Sequence, residues 1–206
     1  MRRRVFARIY PRVNRAMDRE GMAERRQDLL AGAAGQVVEV GAGNGATFAH
    51  YPDKVDEVLA VEPERHLRLL AMDAAQNAPV PIRVVDGTAE QIPADDGAAD
   101  VVVSSLVLCS VREQPTALRE IRRILRPGGQ LRLLEHVRSD RPRAARFQRI
   151  LDATIWPTLA GGCHTSRDTV DAVRQSGFEV AEVTTFRLEN MITPTHPFVL
   201  ATAVRR

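Results

Sequence analysis

Five short runs rich in apolar and β-branched residues, VVEV, EVLAVE, IRVVDG, DVVVSSLVL and QLRLLEHV, recur from Gln36 onward with helix-like segments between them. Runs of this kind suit strands buried on both faces, and their alternation with helices produces βαβ units in a parallel sheet. That pattern restricts the chain to an α/β architecture: a doubly wound, mostly parallel sheet with helices on both faces. At 206 residues there is room for one such domain with its own core, and little room for two.

The flanking segments add detail. Residues 1–34 are helical and basic in pattern, with Val5, Ile9, Val13 and Met17 on one stripe that Pro11 interrupts. This predicts two short helices or one kinked helix, forming a cap on the domain that spans 35–206. A helix is expected from Glu113 to Leu125, stopping at RPGG. A second amphipathic stretch, carrying Phe147, Ile150, Leu151, Ile155 and Leu159, runs to Gly161-Gly162. SRDTVDAVRQSGF reads as a capped helix, with Thr165 or Ser166 at its start and Gly177 at its end. FEVAEVTTFR and HPFVLATAV follow with no helix between them, which predicts an antiparallel pair at the sheet edge.

The most informative motif sits between the first strand and what should be the first helix. Glu39-Val40-Gly41-Ala42-Gly43-Asn44-Gly45 is E-x-G-x-G-x-G, and Glu62 ends the next strand 17 residues past Gly45. Glycines in such a turn let a ligand approach the backbone or permit a φ that a Cβ forbids. An acid at the tip of the second strand can accept hydrogen bonds from both hydroxyls of a ribose, so the pair suits a nucleoside at the switch point of the sheet. The dinucleotide fingerprint G-x-G-x-x-G would place its third glycine one residue later. A nicotinamide-dependent oxidoreductase, a cofactor-binding module without turnover and an enzyme acting on nucleic acid are the competing classes at this point.

Charge narrows the field. Lys54 is the only lysine among 29 basic residues, and the net charge is +3. The arginines are mixed with acids and no aromatic-interleaved basic stripe appears, which argues against a nucleic-acid partner. Arginine richness reads as the coding habit of a GC-rich genome. No apolar run reaches the roughly 18 residues of a membrane span, and the arginines near the start have no apolar segment behind them. Cys109 and Cys163 are too few for a disulfide framework and lack zinc-site spacing, so a cytoplasmic protein with reduced thiols and no metal is expected. A metal site from Cys109, His136, Cys163 and His164 is not anticipated, and Cys109 reads as a small buried residue.

The set "EVGAGNG", "VEPE", "DGTAEQIP", "DVVVSSLVLCSV", "LREIRRILRPGGQLRLLEH" and the terminal strands resembles the class I S-adenosylmethionine-dependent methyltransferases, from about Val37 to Val204. Within them, "NGATFAHYP", "LVLCSV", "ILRPGG" with "EHV", and "GGCHTSRDT" are most similar to the branch containing the alkyl thiol S-methyltransferases. The resemblance implies a Rossmann-like sheet of seven strands in the order 3-2-1-4-5-7-6, the last strand antiparallel. It implies S-adenosylmethionine as methyl donor, S-adenosylhomocysteine as product, and a small-molecule acceptor, most plausibly a thiol. The alternative is an oxygen, nitrogen or carbon acceptor on a quinone or natural product. A monomer or homodimer is expected, with peripheral membrane contact left open.

Carried residue by residue, the resemblance places Glu39, Gly41, Ala42, Gly43, Gly45, Glu62 and Pro63 around the donor: the Gly41–Gly45 loop would take its amino acid tail and lie beneath the sulfonium, and Glu62 would bind the ribose diol. Asp86, Gly87, Thr88, Ala89 and Glu90 would border the adenine, and Ser105 and Leu106 would offer carbonyls to the cationic end. Thr88 stands where many relatives have an acid, which shifts adenine contacts toward main chain. His136 is the candidate base or orienting group. His164, in a loop over the site, is a second candidate for that role; Tyr10 is expected to close over the cofactor, and Phe147, Ile155 and Trp156 to give the acceptor side an apolar wall.

Overall fold

The computed structural model describes residues 2–188 and 196–206, with the side chains of residues 2–5 excepted. The N-terminal helices are α1 (Arg2–Met17) and α2 (Ala23–Leu30). The sheet is formed by β1 (Gly35–Val40), β2 (Val55–Val61), β3 (Ile82–Val85), β4 (Ala99–Ser105), β5 (Leu125–His136), β6 (Phe178–Phe186) and β7 (Phe198–Arg205). The remaining helices are α3 (Arg65–Ala75), α4 (Gln114–Ile124), α5 (Pro142–Asp152), α6 (Trp156–Leu159) and α7 (Thr169–Gln175). The strand order is β3-β2-β1-β4-β5-β7-β6. β7 runs antiparallel to both neighbours, as expected, while the other pairings are parallel.

Both faces of the sheet are covered. Val38 and Val40 of β1 point into a core with Val102, Leu118, Ile121, Ile124 and Leu131. Val37 points to the opposite face, where Leu29, Leu30, Phe48, Val58, Ala60 and Val103 pack. Successive side chains of a strand face opposite ways, so each apolar run feeds two cores at once. No helix among the described residues is long and apolar enough to cross a membrane.

Four local expectations are corrected. α1 runs through Pro11 unbroken, and the chain instead turns at Gly21, φ +98°. Contacts with the glycine turn seat the helix on both sides of the proline: Tyr10 packs beside Gly43, and Asn14 Nδ2 donates to Asn44 Oδ1 at 2.8 Å. The glycine turn leads into a single 3-10 turn, Phe48–His50, where a helix was expected. The segment between β3 and β4 likewise forms turns, as its Pro93 and Gly97 would dictate. Finally, Asp168 caps α7 by accepting the Asp171 amide, because the Thr165 and Ser166 hydroxyls are spent on Asp152.

Candidate active site

A cavity of about 1460 Å³ opens at the carboxyl ends of β1, β2, β4 and β5. Small-molecule sites commonly run about 300–1,000 Å³, so two reactants fit side by side. Gly41 leaves β1 at φ +63° and Gly43 follows at +59°, a left-handed backbone that costs glycine nothing. A Cβ on Gly41 would stand 2.5 Å from Val107 Cγ2, and one on Gly43 would stand 3.1 Å from Tyr10 Cε1. The turn therefore presents bare backbone, with Val107 and Tyr10 pressed against it.

Glu62 follows β2 directly and is 5% exposed on the cavity wall. Its carboxylate accepts the amides of Gly43 and Glu64, each at 2.8 Å, one on either oxygen. Burial pushes this carboxyl upward, and the two amides oppose that push. Each oxygen retains a lone pair after these bonds, so the site offers a fixed, two-point acceptor.

Several sequence-derived candidates share this cavity: Tyr10, Gly41, Gly43, Glu62, Pro63, Thr88, Ala89, Glu90, Leu106, His136 and Trp156 all line it. Leu106 carries φ +60°, the one positive φ outside glycine among the described residues, a strain of about 1–3 kcal/mol that such sites often hold. Others stand apart. Asp86 is exposed and pairs with Arg68 at 3.2 Å, and Gly87 packs beneath Val61 and Pro93. Gly45 faces Phe48 and Ala74, away from the cavity. Ala42 ties the turn to β2 through its amide on the Val61 carbonyl. Ser105 ends β4 without reaching the lining. Phe147 is 54% exposed on α5, and His164 lies off the lining with Nδ1 2.8 Å from the Gly162 carbonyl. Of the apolar residues expected to face the acceptor, Ile155 and Trp156 line the cavity and Phe147 does not; Phe6 and Leu159 line it beside them.

Glu39 is also off the cavity. It lies buried and accepts the hydroxyls of Thr47 at 2.6 Å and Tyr51 at 2.7 Å. Burial pushes its carboxyl up to about 7, against both hydroxyls and the Arg26 charge. An acid that ionises more readily unfolded than folded contributes stability that is complete below its unfolded pKa and is lost as pH rises through the folded one. We expect the stability of the wild type relative to Glu39→Gln to fall between about pH 4.5 and about pH 7 and then level off. Denaturant titrations of both proteins across that window measure it, and a relative stability that climbs with pH would mean Glu39 is ionised in the fold.

Two features were not anticipated from sequence. Glu135 is fully buried at the end of β5 and accepts Ser104 Oγ at 2.8 Å and the amides of Val107 and Leu108 at 2.9 Å. Its only outward sign is an acid within an apolar strand. The second is a cluster on the cavity floor, where Cys109, His136 and Cys163 bring their sulfur and nitrogen atoms within 4.8 Å of one another. Cys163 Sγ lies 3.1 Å from His136 Nε2 and 3.2 Å from Trp156 Nε1. Cys109, His136 and Trp156 together hold the Cys163 thiol down to about 5, against its burial. Burial alone would lower His136, but its contact with Cys163 and the charge of Glu135 move it upward.

The chain matches the family model for a methyltransferase domain over residues 38–133. It is 35% identical to human thiol S-methyltransferase TMT1A over 171 residues, covering 77% of this chain and 69% of that protein. Human thiol S-methyltransferase TMT1B is 31% identical over 213 residues, covering 98% and 84%. Among solved structures, a SAM-dependent methyltransferase from Thermotoga maritima superposes with TM-score 0.72 at 20% identity, covering both chains in full. With the strand order, the bare glycine turn and the fixed Glu62 carboxylate, these matches make the chain a member of the class I S-adenosylmethionine-dependent methyltransferases, near the thiol S-methyltransferase branch.

Proposed function

We propose that this enzyme transfers the methyl group of S-adenosylmethionine to the sulfur of a small lipophilic thiol. The observation that carries the acceptor class is the 31% identity with a thiol S-methyltransferase across 98% of the chain. The cavity supports it, because the wall opposite the glycine turn is apolar, built from Phe6, Ile155, Trp156 and Leu159.

Bound S-adenosylmethionine supplies a methyl group already activated on a sulfonium, ready for in-line displacement. The protein's part is alignment and a dry site, worth roughly 7–11 kcal/mol of barrier when geometry is good. In this reading Gly41 and Gly43 receive the amino acid tail on bare backbone, and Glu62 accepts the ribose hydroxyls. Thr88, Ala89 and Glu90 border the adenine; Asp86 belongs to the surface. Leu106 and Val107 hold the methyl-bearing end, and Tyr10 on α1 closes the cavity as the working face of an N-terminal cap. His136 orients the acceptor. Two free, buried thiols suit the reducing cytoplasm.

A thiol of ordinary acidity is about thirtyfold more ionised at pH 7 than a phenol, so it needs little help from a base. We expect S-adenosylhomocysteine release with small lipophilic thiols, and rates at least about tenfold lower with matched phenols and amines. Turnover of phenols or amines with none of any thiol would remove the sulfur assignment and leave an oxygen or nitrogen acceptor.

A further inference from the structure

Cys109, His136 and Cys163 reach the cavity floor from three separate places: the loop after β4, the end of β5 and the turn after α6. They are 1%, 6% and 6% exposed. The backbone fastens these segments together, since the His164 amide donates to the Cys109 carbonyl at 2.8 Å. Around a tetrahedral zinc ion, donor atoms at ordinary bond lengths stand about 3.5–3.8 Å from one another. The observed atoms lie within 4.8 Å of one another, so side-chain shifts on the order of 1 Å would complete that geometry.

The donor set has a chemical meaning. Two thiolates and one imidazole form a three-ligand site of the kind that keeps a fourth position for substrate. Trp156 Nε1, 3.2 Å from Cys163 Sγ, is placed to steady a metal-bound thiolate from outside the coordination shell. Packing alone would be served as well by small apolar side chains. Nothing in the residue spacing announced this trio, because its members are joined only by the fold.

We propose that Cys109, His136 and Cys163 bind one zinc ion whose fourth position takes the sulfur of the acceptor. The role rests on the thiol assignment above. The acceptor's S–H proton departs to solvent as its sulfur displaces metal-bound water. The bound thiolate forms a C–S bond to the methyl carbon while the sulfonium–methyl bond breaks. That electron pair remains on the sulfur of S-adenosylhomocysteine. The product thioether is neutral, a weaker ligand than the thiolate, and leaves the metal.

The full-length protein tests this directly. Purified from zinc-supplemented medium, it should contain about one zinc per chain by mass-spectrometric metal analysis. Chelator-treated protein titrated with Co²⁺ should develop thiolate-to-cobalt charge-transfer absorption, and intense visible bands typical of four-coordinate cobalt, saturating at about one equivalent. Cys163→Ser and Cys109→Ser should each lose most of that charge-transfer intensity, with circular dichroism confirming that they remain folded. A methylatable thiol added to the cobalt protein should shift the band. Wild-type protein that binds neither metal, or that turns over thiols at full rate after chelation, would overturn the proposal and leave the thiol assignment standing. A disulfide between Cys109 and Cys163 in freshly purified protein would overturn it as well. Cobalt bound at one equivalent with no thiol methylated by the zinc protein would instead sink the acceptor class and the role of the metal in it.

Discussion

Glu62→Ala is expected to weaken binding of S-adenosylhomocysteine by at least about 100-fold, measured by calorimetry on the purified protein. The size follows from two losses. In its proposed role the carboxylate accepts two ribose hydroxyls, and hydrogen bonds to a charged group are worth about 1.5–3 kcal/mol each. The same carboxylate also holds the amides of Gly43 and Glu64, so its removal frees the glycine turn proposed to receive the amino acid tail. Glu62→Gln keeps the shape of the side chain and removes its charge. Its amide nitrogen cannot accept, so one of the two backbone amides meets a donor, and the isosteric change should cost nearly as much as alanine. Asp86→Ala is the comparison that matters, because Asp86 is exposed and engaged with Arg68. Affinity within about twofold of wild type is expected there, as for other exposed ion pairs. Donor affinity unaffected by either Glu62 variant would remove the ribose assignment and with it the orientation of the donor in the cavity.

What was legible in the sequence was whatever local chemistry fixes by itself. The central parallel strands β1, β2 and β4 were legible because each is buried on two faces and so reads as a nearly continuous apolar run. The glycine turn and Glu62 were legible because a close backbone approach admits few residue types. Elements whose state depends on distant partners were not. Pro11 signals a break, but Tyr10 before it and Asn14 after it both rest against the glycine turn. Thr165 and Ser166 are good caps by type, yet Asp152 claims both hydroxyls. Phe147 sits on an amphipathic stripe whose exposed side it occupies, and periodicity alone cannot say which stripe faces a cavity. The cysteines could be named beside His136 and His164 but not placed, since Cys109 and Cys163 stand far apart in the chain and meet only where the His164 amide joins the Cys109 carbonyl.

Glu135→Ala should destabilise the protein by about 3–5 kcal/mol, the range for stripping a buried charge network of its centre. Oε1 alone accepts Ser104 Oγ, the Val107 amide and the Leu108 amide, while Oε2 accepts the Cys109 amide at 3.4 Å. These donors belong to the segment where β4 ends and Leu106 adopts its left-handed conformation. The carboxylate therefore balances a strained backbone, and its loss leaves several buried donors unmet beside that strain. Glu135→Gln can keep its oxygen on the three strong donors and present its NH₂ to the Cys109 amide alone. A cost of about 1–2 kcal/mol is expected for it, the value of the charge and one long bond. Chemical denaturation of the three proteins measures the ladder. The local consequence should exceed the global one: Gln stays folded, but Cys109 and Leu106 shift in the cavity, where the proposed reading places the methyl-bearing end of the donor. Its kcat should then fall while donor affinity, assigned in that reading to Glu62 and the glycine turn, holds. Were Gln and Ala equally destabilising, the count of donors on Oε1 would be wrong. Were neither destabilising, Glu135 would not be what holds the loop that brings Cys109 to the cavity floor.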